Sequence, residues 1–286
     1  MKNIFVLTTL LGFVTACSSV SENQVPESQS AKDGASLLKE SHRVEKLNQM
    51  DQALVMAASA YEKFTLSDNL LGKSASAWQM ARLHLLKGNG ESALGWKNNS
   101  YRLLAESGKK SENVRIVRQS EWFWLTNKPD SVLANPIPSG EISQDDELQL
   151  MTWRLLSADK IGKTSPAELE KLELKVKEIY EEFKDEGSNN PLLLSTASYA
   201  VAHVYYGQNN FTKAKVYYQT AYEIDQELEN PIGLAADLRG LSFSSRKLNS
   251  LPEAKGYLYR CIEIYRVIGM TKEADDLTAK YKSWFQ

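Results

Sequence analysis

The chain has 286 residues, 42% of them apolar, and its formal net charge at pH 7 is −2. A net charge this close to zero offers no global attraction for nucleic acid or for an anionic membrane surface, so we expect no nucleic-acid partner. The chain contains only two cysteines, Cys17 and Cys261, which excludes a disulfide framework and leaves packing to stabilise the fold.

The amino terminus has the layout of a secretory signal peptide. Lys2 supplies a basic start, an apolar run follows over residues 4–14, and small residues precede Cys17. The apolar run is well short of the ~20 residues that a transmembrane helix needs. The sequence therefore predicts a signal peptide over residues 1–16, cleaved before Cys17.

The stretch Val14-Thr15-Ala16-Cys17 resembles the lipobox of bacterial lipoproteins, in which an aliphatic residue and two small residues precede an invariant cysteine. The resemblance implies that the Cys17 thiol is diacylated and that the new amino group is acylated as well. Each buried methylene of such chains, palmitate for example, adds about 0.8 kcal/mol of membrane binding. The alternative is an ordinary secretory signal that ends at a cysteine by chance.

The residue after the cysteine bears on location. Ser18 follows Cys17, where an aspartate would imply retention at the inner membrane in lipoproteins of the enterobacterial type. The resemblance therefore implies an anchor in the bacterial outer membrane with the protein facing the periplasm. Anchoring at the inner membrane or exposure at the cell surface are the alternatives.

The rest of the chain divides into a tether and two groups of helices. Residues 17–36 are polar and serine-rich, which is typical of a flexible tether. From residue 37 onward apolar residues recur at steps of three and four with no alternation of period two, which predicts an all-α fold. We expect helical repeats over 37–128, a proline-rich loop over 129–143, and further repeats over 144–286 that end in a capping helix.

One helix is predicted especially clearly, over residues 166–184. Its apolar positions are Leu169, Leu172, Val176, Ile179 and Phe183, and a Ser-Pro-Ala-Glu capping sequence starts at Ser165. The pairs Asn190-Pro191 and Asn230-Pro231 open two more helices, because proline in the first turn lacks only an amide that would be unpaired there.

The helices repeat as similar hairpins. Small residues align at Ala93, Ala214 and Ala254. Ala214 and Ala254 are 40 residues apart, and the interval between Ala93 and Ala214 leaves room for two degenerate repeats. The segment 195–225 resembles the tetratricopeptide repeat, with a long period as in kinesin light chain. The family's early tryptophan and terminal proline are absent. The resemblance implies a right-handed α-α superhelix, a solenoid of helical hairpins that binds partners on its concave face.

The same resemblance identifies residues on the concave face. The candidate peptide-binding positions are Trp78, Arg82, Tyr199, His203, Tyr206, Arg239, Phe243, Arg246 and Lys247. An aromatic and basic strip suits an extended peptide with acidic groups or a free carboxylate, because arginine binds carboxylates bidentately and aromatic rings supply contact area. The alternative is that the rings pack on neighbouring helices and the basic residues keep the face soluble.

No sequence motif for catalysis is present. The chain has no HExxH, GxSxG, P-loop or paired CxxC sequence, and its three histidines are far apart. Cys261 occupies the repeat's small-residue position, which predicts a buried, unreactive side chain. We therefore expect a protein that is not an enzyme and that needs no cofactor and no metal.

These features together predict a non-enzymatic scaffold or assembly factor, anchored by lipid, that binds protein partners in the bacterial envelope. One alternative is a regulatory module whose repeats sense a peptide or a small ligand. Another is a helical cell-wall hydrolase, which would need two acidic side chains that converge in the fold.

Overall fold

A computed structural model describes residues 28–108, 111–138, 142–186 and 190–282. Within these residues all regular structure is helical, which confirms the predicted all-α class. The thirteen helices there are α1 (Gln29–Lys46), α2 (Met50–Leu66), α3 (Leu70–Leu86), α4 (Gly90–Glu106), α5 (Ser111–Leu125), α6 (Pro129–Ala134), α7 (Gln144–Lys160), α8 (Pro166–Glu186), α9 (Pro191–Gly207), α10 (Phe211–Glu227), α11 (Pro231–Lys247), α12 (Leu251–Val267) and α13 (Thr271–Lys280).

Two of the sequence predictions fall outside this part of the chain. The signal peptide over residues 1–16 and the lipidated Cys17 both precede the first described residue, Ser28. Among the helices that the structure describes, none combines the length and the apolar character that crossing a bilayer requires.

The helices pack as a solenoid of hairpins. α1 packs on α2, α3 on α4, α9 on α10, and α11 on α12, while α2 also contacts α3 and α10 contacts α11. The pairs α5–α6 and α7–α8 lie between the second and fifth hairpins, where the sequence left room for two degenerate repeats. The helix α13 packs on α12 as the predicted final helix, although α13 ends at Lys280.

A single kind of turn sets the spacing of the helices. After α1, Asn48 has a positive φ of 60°, its amide donates to the carbonyl of Glu45, and the Gln49 amide donates to the carbonyl of Val44. These two bonds define the Schellman motif, which favours glycine or asparagine at the left-handed position. Left-handed residues recur between helices at Asn48, Asp68, Gly88, Gly108, Asn127, Gly162, Asn209, Glu229, Asn249 and Gly269. Most are about 20 residues apart, which produces the 40-residue hairpin.

The first helix begins earlier than the sequence predicted. Residues 29–36, assigned to the tether of residues 17–36, belong to α1, and the Ser28 hydroxyl accepts a hydrogen bond from the Ala31 amide at 3.2 Å as the helix cap. Ala31 and Gly34 are buried, and Gly34 lies against the ring of Phe64 in α2. Small residues thus let a polar, serine-rich segment pack closely, which its composition alone did not show.

The predicted loop over residues 129–143 also contains a helix. Pro129 occupies the first turn of α6, where its missing amide costs little. Arg154 donates to the carbonyl of Leu133 at 3.2 Å, and Asn135 donates to the carbonyl of Ile116 at 2.9 Å. These side chains end α6 after six residues. The third hairpin is therefore short. Of the residues after α6 in the predicted loop, the structure describes 135–138 and 142–143, and these have no regular secondary structure.

Small residues lie where the helices of a hairpin approach most closely. Ala53, Ala93, Ala214 and Ala254 are all completely buried. Cys261 is also completely buried, as predicted, and burial raises the pKa of its thiol to about 12. The thiol therefore stays protonated near neutral pH, which is consistent with a packing role.

The first helices of neighbouring hairpins lie side by side, and the first helix of the last hairpin also contacts the first helix of the first hairpin. α1 contacts α3, α5 contacts α7, α7 contacts α9, and α9 contacts α11. In addition α11 contacts α1, and the Asn48 side chain donates to the carbonyl of Ile268 at 3.3 Å across 220 positions of sequence. The last full hairpin thus closes against the first one.

Candidate functional site

The nine candidate residues separate into two groups in the structure. Trp78 and Arg82 lie on α3, and the other seven lie on α9 and α11. The two groups differ in their partners, because the first is held inside the fold by carboxylates and the second is built mainly of aromatic contacts near the surface.

Arg82 is held between two glutamates of neighbouring hairpins. Its guanidinium lies 3.2 Å from a carboxylate oxygen of Glu45 on α1 and 2.8 Å from one of Glu121 on α5. Gln79 also accepts from Arg82 at 2.7 Å and donates to Glu45 at 2.7 Å. We call Glu45, Gln79, Arg82 and Glu121 the ionic cluster. It joins the first helices of three successive hairpins.

The charges of the ionic cluster stabilise one another. Burial alone raises the pKa of Glu45, but Arg82 and hydrogen bonds from His42 and Gln79 outweigh it and lower the pKa to about 2. Burial likewise opposes the charge on Arg82, yet the two glutamates raise its pKa above the ordinary value. Glu45 and Arg82 are therefore both ionised at neutral pH.

Trp78 is buried beside the ionic cluster. Its indole nitrogen donates to Glu121 at 2.9 Å, and its ring stacks on Tyr101 with 6.0 Å between centroids. Only 7% of Trp78 is exposed. Trp78 and Arg82 therefore make their contacts inside the fold, Trp78 with Glu121 and Tyr101 and Arg82 with the ionic cluster. The candidate binding surface is confined to the other seven residues.

Those seven residues lie on two neighbouring helices, and some of them contact two more aromatic residues that the sequence did not identify. We call this set the C-terminal strip: Tyr199, His203, Tyr206, Phe211, Arg239, Phe243, Arg246, Lys247 and Tyr281. The ring of Tyr199 stacks on His203 with 6.2 Å between ring centroids. Burial lowers the pKa of Arg239, but nearby groups that include Tyr199 outweigh it and raise the pKa. His203 in turn lies 3.7 Å from Asp159 on α7.

Phe211 and Tyr281 complete the C-terminal strip. Phe211, the first residue of α10, packs edge-on against Tyr206 at 5.3 Å, and the Lys247 ammonium lies 5.7 Å from its ring. Tyr281 follows α13 and lies 5.2 Å from Phe243, ring to ring. The sequence signal for Phe211 was its place just after the Asn209-Asn210 turn. Tyr281 carried no such signal, because a separate helix brings it there.

Charged and aromatic groups of the C-terminal strip reach the surface. His203, Arg246 and Lys247 are exposed, whereas Tyr199, Tyr206, Arg239 and Phe243 are half-buried. Half-buried rings beside exposed cations offer apolar contact area together with charge for an acidic group. The strip therefore keeps the chemistry that the sequence predicted, over two hairpins rather than the whole solenoid.

A second buried carboxylate binds the fourth hairpin to the fifth. Glu173 on α8 accepts hydrogen bonds from Tyr205, Tyr217, Lys177 and Lys213, with Tyr217 at 2.8 Å and Lys177 at 3.0 Å. Burial alone raises the pKa of Glu173, but these donors outweigh it and lower the pKa to about 2. Glu173 therefore holds α8 against α9 and α10.

Two aspartates face each other inside the structure. Asp225 at the end of α10 and Asp237 on α11 are 2% and 1% exposed, and Asn230 donates to Asp225 at 2.8 Å. Burial, and then the charge of Asp225, raise the pKa of Asp237 well above its usual range. Ionised Asp225 thus opposes the ionisation of Asp237, as neighbouring buried carboxyl groups do.

No group of three or more metal-ligating side chains occurs among the residues that the structure describes. Comparison with protein families finds no match to this chain. Comparison with curated proteins finds none either. The class of protein is therefore defined by the fold, an all-helical solenoid of hairpins compatible with tetratricopeptide-like repeats.

Proposed function

We propose that this chain is a non-enzymatic lipoprotein of the bacterial envelope that binds protein partners through the C-terminal strip, as a scaffold or assembly factor. The observation that carries the proposal is the strip itself. Exposed His203, Arg246 and Lys247 adjoin half-buried rings, and the strip residues come from α9, α10 and α11, together with Tyr281 just after α13. Anchoring to the outer membrane is proposed from the lipobox-like sequence that ends at Cys17.

Buried acids argue against the hydrolase alternative. A hydrolase needs two carboxyl groups that a substrate can reach. Asp225 and Asp237 converge, but they are 2% and 1% exposed and lie beneath packed helices. The pair therefore acts within the fold, and the binding role is the better supported one. We propose no second function.

The role of the C-terminal strip is tested by reversing its exposed charges. A photoreactive amino acid at position 203 is expected to crosslink a defined envelope protein in intact cells. Combining it with Arg246→Glu and Lys247→Glu is expected to reduce that product on the order of tenfold, because carboxylates then repel the acidic groups of the partner.

The matched control places the same two changes on the outer helix α12, as Lys255→Glu with Arg266→Glu. These changes alter the net charge equally and should leave the crosslinked product unchanged. A product that persists in the strip variant, or that falls equally in both variants, would contradict a binding role for the strip. Helical circular dichroism of each variant checks that the fold is retained.

The lipid anchor is tested by removing the thiol that would carry it. Cys17→Ser is expected to abolish acylation and to move the protein from the membrane fraction to the soluble periplasmic fraction almost completely, because the acyl chains supply the binding energy. Cys261→Ser is the matched control and should remain in the membrane. Equal membrane retention of both variants would overturn the proposed anchor, and mass spectrometry of the amino-terminal peptide reports acylation directly.

A further inference from the structure

Arg118 on α5 is a half-buried cation that no carboxylate of the described chain neutralises. Its Nη1 atom donates to the hydroxyl of Ser74 on α3 and to that of Ser100 on α4, at 2.8 Å in each case. Within the part of the chain that the structure describes, no carboxylate lies within ion-pair distance of it. Arg118 therefore differs from Arg82, which two glutamates hold.

The acid that could neutralise Arg118 is already engaged. Glu121 lies one turn further along α5, but one of its oxygens pairs with Arg82 at 2.8 Å and the other accepts from the Trp78 indole at 2.9 Å. Burial lowers the pKa of Arg118 to about 10, and the more distant charges of Glu121 and Asp146 offset only part of this effect. A charge that leaves water without a partner is unfavourable, so Arg118 requires an anion from outside the described chain.

The edge of the Arg118 guanidinium that stays free is the one suited to a carboxylate. All of its hydrogen bonds to described residues come from Nη1, which is held by Ser74 and Ser100. Nε and Nη2 therefore keep their N–H groups unpaired within that part of the chain. These two groups point in parallel and bind the two oxygens of a carboxylate at once.

Aromatic rings and a second cation lie beside Arg118. Its guanidinium is 5.7 Å from the ring centroid of Trp78, which stacks on Tyr101. The Lys97 ammonium lies 4.9 Å from the ring centroid of Trp122 and 5.6 Å from that of Tyr101. Two cations around one group of rings suit a ligand that combines negative charge with a flat apolar part.

The packing of the hairpins leaves these residues within reach of a ligand. α4 and α5 contact each other much less than the equivalent pairs α2–α3 and α10–α11 do. The second helix of the third hairpin, α6, has six residues, whereas α4 has 17. Lys97, Tyr101 and Arg118 are half-buried and keep part of their surface exposed. A small ligand can therefore enter between the second and third hairpins.

We propose that Arg118, with Lys97, Tyr101 and Trp122, forms a binding site for a ligand that carries a carboxylate beside an aromatic ring. The carboxylate is the counter-ion of Arg118 and accepts from Nε and Nη2. A free aromatic acid and the carboxyl-terminal residue of a peptide both offer this chemistry. The site is separate from the C-terminal strip, so it stands whether or not the strip binds a partner.

The test compares two probes that differ only in the carboxylate. N-acetylphenylalanine and its neutral amide are titrated into the purified full chain at equal ionic strength, with isothermal titration calorimetry as the readout. We expect the acid to bind on the order of tenfold more tightly than the amide, because only the acid pairs with Arg118. The acid should also raise Tm, since a ligand of the folded state stabilises it.

Sodium benzoate separates the two sources of the carboxylate. Benzoate that binds as tightly as N-acetylphenylalanine supports a free aromatic acid as the ligand. Tighter binding of N-acetylphenylalanine supports the carboxyl terminus of a peptide, because that probe also has the amide of a peptide chain.

Arg118→Met should reduce binding of the acid to the level of the amide. The unliganded variant should keep its stability, because no carboxylate loses a partner and the Ser74 and Ser100 hydroxyls still donate to each other's carbonyl groups. Arg115→Met is the matched control, because Arg115 is an exposed residue of the same helix that pairs with Glu112 at 2.6 Å. It should bind the acid as tightly as the unchanged chain does.

Arg118→Lys keeps the charge but lacks the two parallel N–H groups, so it should weaken binding of the acid several-fold. It provides the comparison if Arg118→Met loses helical circular dichroism. Equal binding of the acid by the unchanged chain and by the folded Arg118 variants would overturn the site. So would equal binding of acid and amide, or no saturable binding of either acid at millimolar concentration.

Discussion

Replacing Arg82 with methionine is expected to lower the free energy of unfolding by about 3–5 kcal/mol, because removal of one member of a buried ionic group leaves charge without a partner. Arg82 lies between Glu45 and Glu121, whose side chains are 15% and 7% exposed. Methionine preserves most of the side-chain volume, so the loss reports the charge. Urea denaturation of the variant and the unchanged chain measures the difference.

The control is Arg102→Met. Arg102 pairs with Glu106 four residues later on the same helix, and both side chains are about half exposed. Exposed pairs of this kind contribute about 0.3–0.5 kcal/mol. Adding Glu45→Gln and Glu121→Gln to Arg82→Met should recover part of the loss, since the unpaired charges disappear. Equal effects of Arg82→Met and Arg102→Met would show that the ionic cluster does not join the hairpins.

The second large effect is expected at Glu173, and it depends on pH. Its pKa in the folded protein is about 2, below the ordinary 4.5. A lowered folded pKa means that ionised Glu173 stabilises the fold above pH 4.5, and that this stabilisation is lost as pH falls from 4.5 towards 2. The difference corresponds to about 3 kcal/mol. Glu173→Gln should therefore destabilise the protein by a few kcal/mol at pH 7.

Denaturation at several pH values separates this contribution from those of other acids. The unchanged chain should lose stability more steeply between pH 4.5 and pH 2 than Glu173→Gln does. Glu181→Gln is the control, because Glu181 is an exposed residue of the same helix whose contact is Lys184 at 2.8 Å. A Glu173→Gln variant with an unchanged pH profile would refute the assignment of the low pKa to its four donors.

The two effects reflect how this solenoid is joined. Each of its stabilising carboxylates accepts bonds from neighbouring hairpins, Glu45 and Glu121 through Arg82, and Glu173 through Tyr205 and Tyr217. Charges that are paired across hairpins restrict the angle between them as well as adding stability.

Much of the fold could be predicted because its signals are local. The apolar spacing over residues 166–184 predicted α8, which runs from Pro166 to Glu186. The Asn-Pro pairs at 190 and 230 predicted helix starts, and both asparagine side chains accept the expected amide hydrogen bond. The 20-residue recurrence of Asn and Gly at left-handed turns was present in the sequence as well, but it was not recognised.

Other features could not be predicted because composition does not show packing. Residues 29–36 look like a tether, yet their small side chains fit against Phe64 and continue α1. Residues 129–134 are rich in loop-forming types, yet they form α6. Trp78 and Arg82 match the concave positions of the repeat by spacing. Spacing cannot show that the Arg82 guanidinium already forms ion pairs with Glu45 and Glu121.

The sequence by itself determined that the chain is helical, where α8, α9 and α11 begin, and that hairpins repeat every 40 residues, because hydrogen bonds and turns act between near neighbours. Only the tertiary structure decided which inner residues meet. Partners such as Arg82 with Glu121, or Asn48 with Ile268, depend on the angle between successive hairpins. That angle is set by how all the side chains at each interface pack together, and no local pattern encodes it.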